Sequence, residues 1–259
     1  MPGYALDNSW DKAKRRLALL ESYLDPKTKR RMQALGVSQG WNCLEIAAGG
    51  GSIARWLSEA VGDSGRVVAT DINTALLKDL SAPNMETRKH DILTEDLPEV
   101  TFDIVHCRWL LHHLPTPGVA IERMIKAVRP GGWLLLEEVD FFPVHASSNE
   151  DYIAFMSALA NTVVSASGRD CFWARALPAM IAETGLADVT GEGGFSLLQG
   201  GREVAEFFTL TAEQMRDRML ESQAIDEAKL GRALALLADP TFWAFGGGEV
   251  AVWGRKAAA

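Results

Sequence analysis

A cluster of three glycines directly follows the first strand pattern of the chain. Residues 42–47, NCLEIA, have the mostly apolar character of a buried strand, and Gly49, Gly50 and Gly51 come just after it. A helix pattern with one apolar face follows at residues 53–60. Glycines in this position let the backbone turn tightly and approach a ligand at the positive end of the next helix. The sequence therefore predicts a strand–loop–helix unit that binds a ligand at its loop.

One acidic residue lies at a suitable distance beyond this loop. Asp71 ends the second strand pattern, residues 66–71, about 20 positions after the glycines. A carboxylate at that place can accept hydrogen bonds from a ribose diol, so the sequence predicts a site for an adenosine-containing cofactor. The pattern Gly49-x-Gly51-x-x-Ala54 also fits dinucleotide-binding domains, and a nicotinamide cofactor stays open at this point.

Strand and helix patterns alternate over the first half of the chain. Further strand patterns lie at residues 85–89, 102–106 and 133–138, and helix patterns lie near 76–80 and 121–128. Strands separated by helices in this way form right-handed βαβ units. The sequence therefore predicts an α/β fold with a doubly wound, Rossmann-like parallel sheet and helices on both of its faces.

Two helix patterns precede the first strand. Residues 13–24 carry an apolar stripe at helical spacing, and we expect Asp25-Pro26 to end this helix because proline disrupts a helix interior. A second short helix is expected over residues 28–35. These helices form the first of three predicted units, an N-terminal helical lid over residues 1–36.

The residues beyond 143 depart from the regular alternation. Strand patterns at residues 188–198 and 242–254 are separated by helical stripes that fit no βαβ unit. We therefore expect a cofactor-binding core over residues 37–143, followed by the remainder of the sheet over 144–259, with inserted cap helices near 144–170 and 202–238.

The composition restricts the partners and the compartment. The 259 residues carry a formal net charge of −8, which disfavours a nucleic-acid partner. No apolar run has the length of a signal peptide or a membrane span, so no membrane partner is expected. Cys43, Cys107 and Cys171 are widely spaced, which argues for a reducing compartment and against a metal site. We expect a cytoplasmic protein without a resident metal, and a homodimer stays open.

Several landmarks together indicate a family. The stretch LEIAAGGG at residues 44–51 resembles motif I of the class I S-adenosylmethionine-dependent methyltransferases, in which an acidic residue lies within the first strand. Further landmarks follow in that family's order, namely Asp71, Asp91 after the third strand, residues 102–114 and residues 129–138. Five landmarks in order are far more specific than any one of them.

This resemblance, which covers residues 42–138, implies S-adenosyl-L-methionine as the cofactor and a seven-stranded sheet whose last strand is antiparallel. By family analogy, Tyr4 and Trp10 are expected to close over the cofactor as part of the lid. The family contacts the cofactor through the first strand, its loop and the ends of the next three strands. The residues at those positions are Glu45, Ala47, Gly49, Gly51, Asp71, Ile72, Asp91, Ile92, Cys107 and Arg108.

One position departs from the family pattern. Ala47 replaces the first glycine of motif I, which adds a methyl group where the methionine part of the cofactor approaches. Alanine can occupy ordinary backbone angles, so we expect the cofactor to bind.

The resemblance also implies direct in-line transfer of a methyl group to a small-molecule acceptor, and we expect a secondary metabolite. The acceptor must then lie beyond the carboxyl ends of strands four and five. His112 and His113 are candidate bases there, because neutral imidazole is available near pH 7; the alternative is that the pair packs under its loop. Glu138 is a candidate for catalysis or, with Asp140, for binding a cationic acceptor. Arg108 is a candidate for binding a carboxylate of the cofactor or the substrate.

Two other functions stay open. An NAD(P)-dependent oxidoreductase uses the same kind of sheet but gives no reason for Glu45 and Asp91. A protein that binds S-adenosylmethionine for a chemistry other than methyl transfer differs in no feature of the sequence. Product analysis separates that last alternative from a methyltransferase.

Overall fold

A seven-stranded sheet lies at the centre of the computed structural model, which describes residues 6–99 and 101–258. The strands are β1 (Asn42–Ile46), β2 (Arg66–Asp71), β3 (Met85–Lys89), β4 (Phe102–Arg108), β5 (Val128–Asp140), β6 (Ala187–Gln199) and β7 (Trp243–Arg255). Their order across the sheet is β3-β2-β1-β4-β5-β7-β6. Strands β1 to β5 are parallel, and β7 is antiparallel to both β5 and β6. The predicted α/β fold with an antiparallel last strand is confirmed.

Helices cover both faces of this sheet because successive side chains of its buried strands point to opposite sides. The helices are α1 (Ala13–Ala34), α2 (Ser52–Val61), α3 (Pro117–Ala127), α4 (Glu150–Val164), α5 (Leu177–Ala182), α6 (Glu203–Glu221) and α7 (Glu227–Ala238). Cys43 and Ile104 pack with α2 on one face, whereas Leu44 and Val105 pack with α3 and α5 on the other. No helix in the described part of the chain has the length and apolar character needed to cross a bilayer.

Helix α1 is one continuous helix, so the predicted break at Asp25-Pro26 is wrong. Pro26 lies inside the helix, where a proline costs about 3 kcal/mol. Side chains next to the proline fasten this part of the helix to the sheet. Arg108 at the end of β4 donates to Asp25, and Arg31 pairs with Glu137 on β5. These tertiary contacts outweigh the local preference for a break.

The helix predicted near residues 76–80 is also wrong. The chain forms only a short 3₁₀ turn at Thr74–Leu77, in which the side chain of Asn73 accepts from the amide of Ala75. Pro83 cannot continue a helix, and β3 begins at Met85, so little chain is available for one.

The helices expected beyond residue 143 pack together over the end of β5. Tyr152 and Phe155 of α4 and Phe208 of α6 lie in one buried cluster with Val139 and Phe141, which end or follow β5. Leu230, Ala233 and Leu237 of α7 belong to the same cluster, so all three helices pack over the carboxyl end of β5. A site at that end of the strand is therefore bounded by these helices.

Candidate functional site

A cavity of about 510 Å³ opens at the carboxyl edge of β1, β2 and β4. Parallel α/β sheets bind ligands at this edge, where the strand order reverses. Most of the predicted site residues line it: Glu45, Ala47, Gly49, Asp71, Ile72, Asp91, Ile92, Arg108, His112 and His113. Three others do not line it, namely Gly51, Cys107 and Glu138. Cys107 is fully buried in the core, on the face of the sheet that packs with α3.

The glycine loop is held by the carboxylate of Asp71. One oxygen accepts from the backbone amide of Gly49 at 3.0 Å, and the other accepts from Asn73 at 2.9 Å. Burial raises the pKa of Asp71. Gly51 directly precedes α2 with a φ of 82°, and a side chain there would collide with Leu80, so the turn into the helix requires a glycine at this position. The loop thus presents bare backbone to the cavity.

Ala47 adopts a left-handed backbone conformation, with a φ of 57°. The expectation of ordinary backbone angles at this residue is therefore wrong. The chain must turn sharply at the end of β1 so that the amide of Ala48 can reach the carbonyl of Thr70 at 2.9 Å. This conformation costs an L-residue about 1–2 kcal/mol. Trp109, across the cavity, is strained in the same way with a φ of 53°, and such strain clusters at functional sites.

Residues directly after β3 also line this part of the cavity. Asp91 accepts from the backbone amide of Leu93 at 2.9 Å and lines the cavity next to Ile92. The ring nitrogens of His90 also lie in this wall and have no hydrogen-bond partner among the described residues. The sequence reasoning missed His90, although its position beside Asp91 was a usable signal.

A buried ion network supports the loop from below. The imidazole of His106 lies between Glu45 at 2.6 Å and Glu137 at 3.2 Å. Burial disfavours the charged imidazole, but the two carboxylates outweigh burial and raise the pKa of His106 to about 9. Burial likewise disfavours charge on Glu137, but His106 and Arg31 lower its pKa to about 2. This network fixes the orientation of Glu45 and binds α1 to the strand ends.

Helix α1 supplies two acidic side chains that sequence reasoning missed. Arg108 donates to Asp25 and to the hydroxyl of Thr28, both at 3.0 Å, and also lines the cavity. Glu21 lines the cavity one turn earlier and lies against Gly50. Burial, together with the charge of Asp25, raises the pKa of Glu21. A polar residue within the apolar stripe of α1 was the signal available in the sequence.

The loop after β4, residues 109–115, is organised by Glu138. This carboxylate is fully buried and accepts from the amides of Leu110 at 3.0 Å and Leu111 at 2.7 Å. It also contacts Nδ1 of His112 at 2.5 Å. Because a carboxylate accepts, His112 donates through Nδ1, which leaves Nε2 for another partner. Glu138 therefore lies behind the cavity wall and positions His112.

His113 and Arg16 complete this wall. The rings of His112 and His113 have centroids 4.0 Å apart. Burial lowers the pKa of His113 well below its usual value, and the charges of His112 and Arg16 lower it further. Arg16 of α1 lines the cavity with only 2% of its surface exposed. The sequence reasoning also missed this arginine, which faces the cavity only because of how α1 packs.

The remaining wall is apolar and aromatic. Trp109 and Phe207 meet edge to face with centroids 6.2 Å apart. The other members come from the 109–115 loop, the end of β5, α4 and α6: Leu114, Val139, Phe141, Leu159, Val163 and Phe208. Asp140 is not part of this wall, because Arg175 holds both of its oxygens at 2.9–3.0 Å.

A comparison with known families identifies the domain that contains this site. Residues 44–136 match the family described as a methyltransferase domain. The match contains the glycine loop, Asp71, Asp91 and the 109–115 loop. Residues 44–136 form a methyltransferase domain. The family resemblance predicted from the sequence is therefore confirmed.

Curated relatives of the methyltransferase domain carry matching names. Methyltransferase str3 of Strobilurus tenacellus is 32% identical over 152 residues, which are 57% of this chain and 52% of that protein. The ubiquinone/menaquinone biosynthesis C-methyltransferase UbiE of Idiomarina loihiensis is 32% identical over 128 residues, 45% of this chain and 49% of that protein. The chain thus spans about half the length of these relatives.

A solved structure shares the fold over almost the whole chain. Phosphoethanolamine N-methyltransferase 2 of Haemonchus contortus, in complex with phosphomonomethylethanolamine and S-adenosylhomocysteine, superposes with a TM-score of 0.55. The match covers 94% of this chain and 52% of that one, at 17% sequence identity. At this identity the likeness establishes a shared architecture around the methyltransferase domain.

Proposed function

We propose that the chain is an S-adenosylmethionine-dependent methyltransferase that acts on a small-molecule acceptor by direct in-line transfer. One observation carries this proposal. A single cavity joins the loop held by Asp71 to an apolar wall that contains the His112–Glu138 pair. A donor and an acceptor bound in one enclosed space can meet at near-attack distance, which is worth up to about 7–11 kcal/mol.

The residues present fit the cofactor. Each oxygen of Asp71 accepts one backbone amide and keeps a lone pair, so the carboxylate can also bind a ribose diol. Asp91, Ile92 and Ile72 line the part of the cavity suited to an adenine ring. The nitrogens of His90, which have no hydrogen-bond partner in the described part of the chain, offer the ring polar contacts. The bare backbone from Ala47 to Gly49, with Glu45 and Arg108, would hold the methionine part.

When bound, S-adenosylmethionine supplies a methyl group already activated on a sulfonium. The chain needs to position the acceptor, exclude water and, for a hydroxyl, receive one proton. Nε2 of His112 is the atom we assign to that proton, because Glu138 fixes the ring through Nδ1 and stabilises the imidazolium. In this account Glu138 and Gly51 are positioning residues, and Cys107 contributes only to the core.

We further infer that the N-terminal segment acts as a lid. Leu6 and Asn8 line the cavity together with Leu17 and Leu20 of α1. Tyr4 lies outside the described residues, so its place in the lid stays a prediction. Removal of residues 1–12 should weaken binding of S-adenosylhomocysteine; unchanged affinity and turnover would contradict the lid.

A cytoplasmic setting and the absence of a nucleic-acid partner belong to the same proposal. Cys43, Cys107 and Cys171 are buried free thiols, as is usual in a reducing compartment. The net charge of −8 gives no support for binding a polyanion.

Product analysis tests the proposal. The protein is incubated with S-adenosylmethionine labelled in its methyl group and with a panel of small apolar acceptors. We expect S-adenosylhomocysteine and labelled acceptor in equal amounts. Labelled cofactor that binds and is never converted with any acceptor would support a non-methylating function instead.

A further inference from the structure

The end of the cavity farthest from Asp71, which we call the acceptor half, has an unusual charge balance. It is bounded by the 109–115 loop, α4, α6, the end of β5 and the start of α1. Among the described residues that line it, Arg16 is the only arginine, lysine or carboxylic acid. The other polar members are Asn8 and Thr211. The acceptor half is thus apolar with one buried cation.

Neither acid that could have bound a cationic acceptor is available there. Glu138 accepts three hydrogen bonds behind the wall, and Asp140 is held by both nitrogens of the Arg175 fork. A substrate ammonium would therefore be placed beside Arg16 with no carboxylate in this wall to pair with it. Burying a charge without an opposite partner is costly, so the acceptor half disfavours a cation.

The aromatic wall favours a planar partner. Trp109 is fixed against Phe207 and against the ring of His112, whose centroid is 6.4 Å away. Arg16 and the histidine pair line the same cavity, and the charge of Arg16 acts on His113. A flat ring on the aromatic wall would bring a polar substituent to the side where Arg16 and His112 lie.

We propose that the acceptor is an aromatic compound with a weakly acidic hydroxyl, whose oxygen binds between the guanidinium of Arg16 and Nε2 of His112. This inference rests on the methyltransferase function proposed above. Arg16 stabilises negative charge on the oxygen, and His112 takes the hydroxyl proton. The oxygen forms a bond to the methyl carbon, the carbon–sulfur bond breaks, and its electron pair stays on sulfur. The products are an aryl methyl ether and S-adenosylhomocysteine.

Binding of matched probes tests this assignment independently of turnover. Calorimetry is done at neutral pH on protein saturated with S-adenosylhomocysteine, using 2-naphthol, 2-naphthoate and cationic 2-naphthylmethylamine. We expect the naphthol and the naphthoate to bind at least roughly tenfold more tightly than the amine, since one charged hydrogen bond is worth about that factor. Tightest binding of the amine would overturn the proposal.

A pair of neighbouring arginines supplies the variant and its control. Arg16→Met should weaken naphthol binding by roughly tenfold or more, and Arg16→Lys should restore part of it. Arg15→Met is the matched control, because Arg15 pairs with Glu206 on the surface. Affinity for S-adenosylhomocysteine should stay unchanged in all three variants and reports correct folding. Equal naphthol affinity in Arg16→Met and Arg15→Met would overturn the proposal.

The same binding data test the acceptor class and the proposed methyltransferase function separately. If wild-type protein binds S-adenosylhomocysteine but shows no preference for the naphthol, the acceptor class is wrong while the proposed function stands. If wild-type protein fails to bind S-adenosylhomocysteine, the proposed function is contradicted and this inference falls with it.

Discussion

The two halves of the cavity are built in different ways. The half near Asp71 comes from consecutive strand ends and their loops, between Glu45 and Leu93, and presents mainly backbone and short acidic side chains. The acceptor half comes mainly from α1, α4 and α6, of which α1 lies more than a hundred residues before the other two, and presents large apolar side chains around Arg16. The positions of the residues near Asp71 depend on strand topology, whereas those in the acceptor half depend on helix packing. Only strand topology leaves a local pattern in the sequence.

This difference explains what could be predicted. The glycine loop, Asp71 and Asp91 follow from fixed places in βαβ units, and the structure places them along one cavity. Arg16 and Glu21 could not be assigned, because periodicity gives the apolar face of α1 but not what that face packs against. The continuity of α1 through Pro26 likewise depends on ion pairs with distant strands.

The conformation of Ala47 shows a limit within the well-predicted half. Its position in the loop was evident from the sequence, but its φ of 57° was not. A glycine would have indicated a positive φ directly, whereas alanine hides the requirement. The loop closure between Ala48 and Thr70 sets that angle.

The largest expected effect lies in the acceptor half. His112→Ala should lower kcat by ~10²–10⁴-fold and leave the affinity for S-adenosylhomocysteine unchanged, because it removes the proton acceptor. Glu138→Gln should cause a smaller loss, since the ring keeps a neighbour but loses the charged partner. Steady-state kinetics with an identified acceptor measure both. The exposed His145 provides the control His145→Ala, and a wild-type kcat in His112→Ala would contradict the assignment.

The next effect lies in the half near the glycine loop. Asp71→Ala should weaken S-adenosylhomocysteine binding by roughly 10²-fold, because two charge-assisted hydrogen bonds to the ribose are lost. Titration calorimetry measures it, and Asp63→Ala in an exposed turn is the control. Should the two variants bind equally well, the role of Asp71 would be wrong.

The buried network of His106, Glu45 and Glu137 should make the stability of the protein depend on pH. The pKa of His106 is raised from 6.5 to about 9 on folding, so its stabilising contribution is complete below pH 6.5 and is lost as the pH rises through 9. Wild-type protein should therefore lose ~1–3 kcal/mol of unfolding free energy across this interval. His106→Asn should be less stable and have a flatter profile. Urea unfolding at several pH values tests this, and parallel profiles would count against the network.

The smallest effect concerns the strained alanine. Ala47→Gly should raise the free energy of unfolding by ~0.5–1 kcal/mol, because relief of the left-handed conformation exceeds the added chain entropy. Ala48→Gly is the matched control and should lower it by a similar ~0.5–1 kcal/mol. Chemical denaturation compares the two. If both variants lose stability alike, Ala47 is not strained in solution.

The central claim is that the cavity binds an adenosyl cofactor through the loop held by Asp71. The most direct measurement is titration calorimetry of S-adenosylmethionine, S-adenosylhomocysteine and NADH with wild-type protein and Asp71→Ala. The account predicts micromolar binding of both adenosyl compounds, strongly weakened in the variant, and no binding of NADH. Binding of NADH without S-adenosylhomocysteine would contradict it and would favour an oxidoreductase.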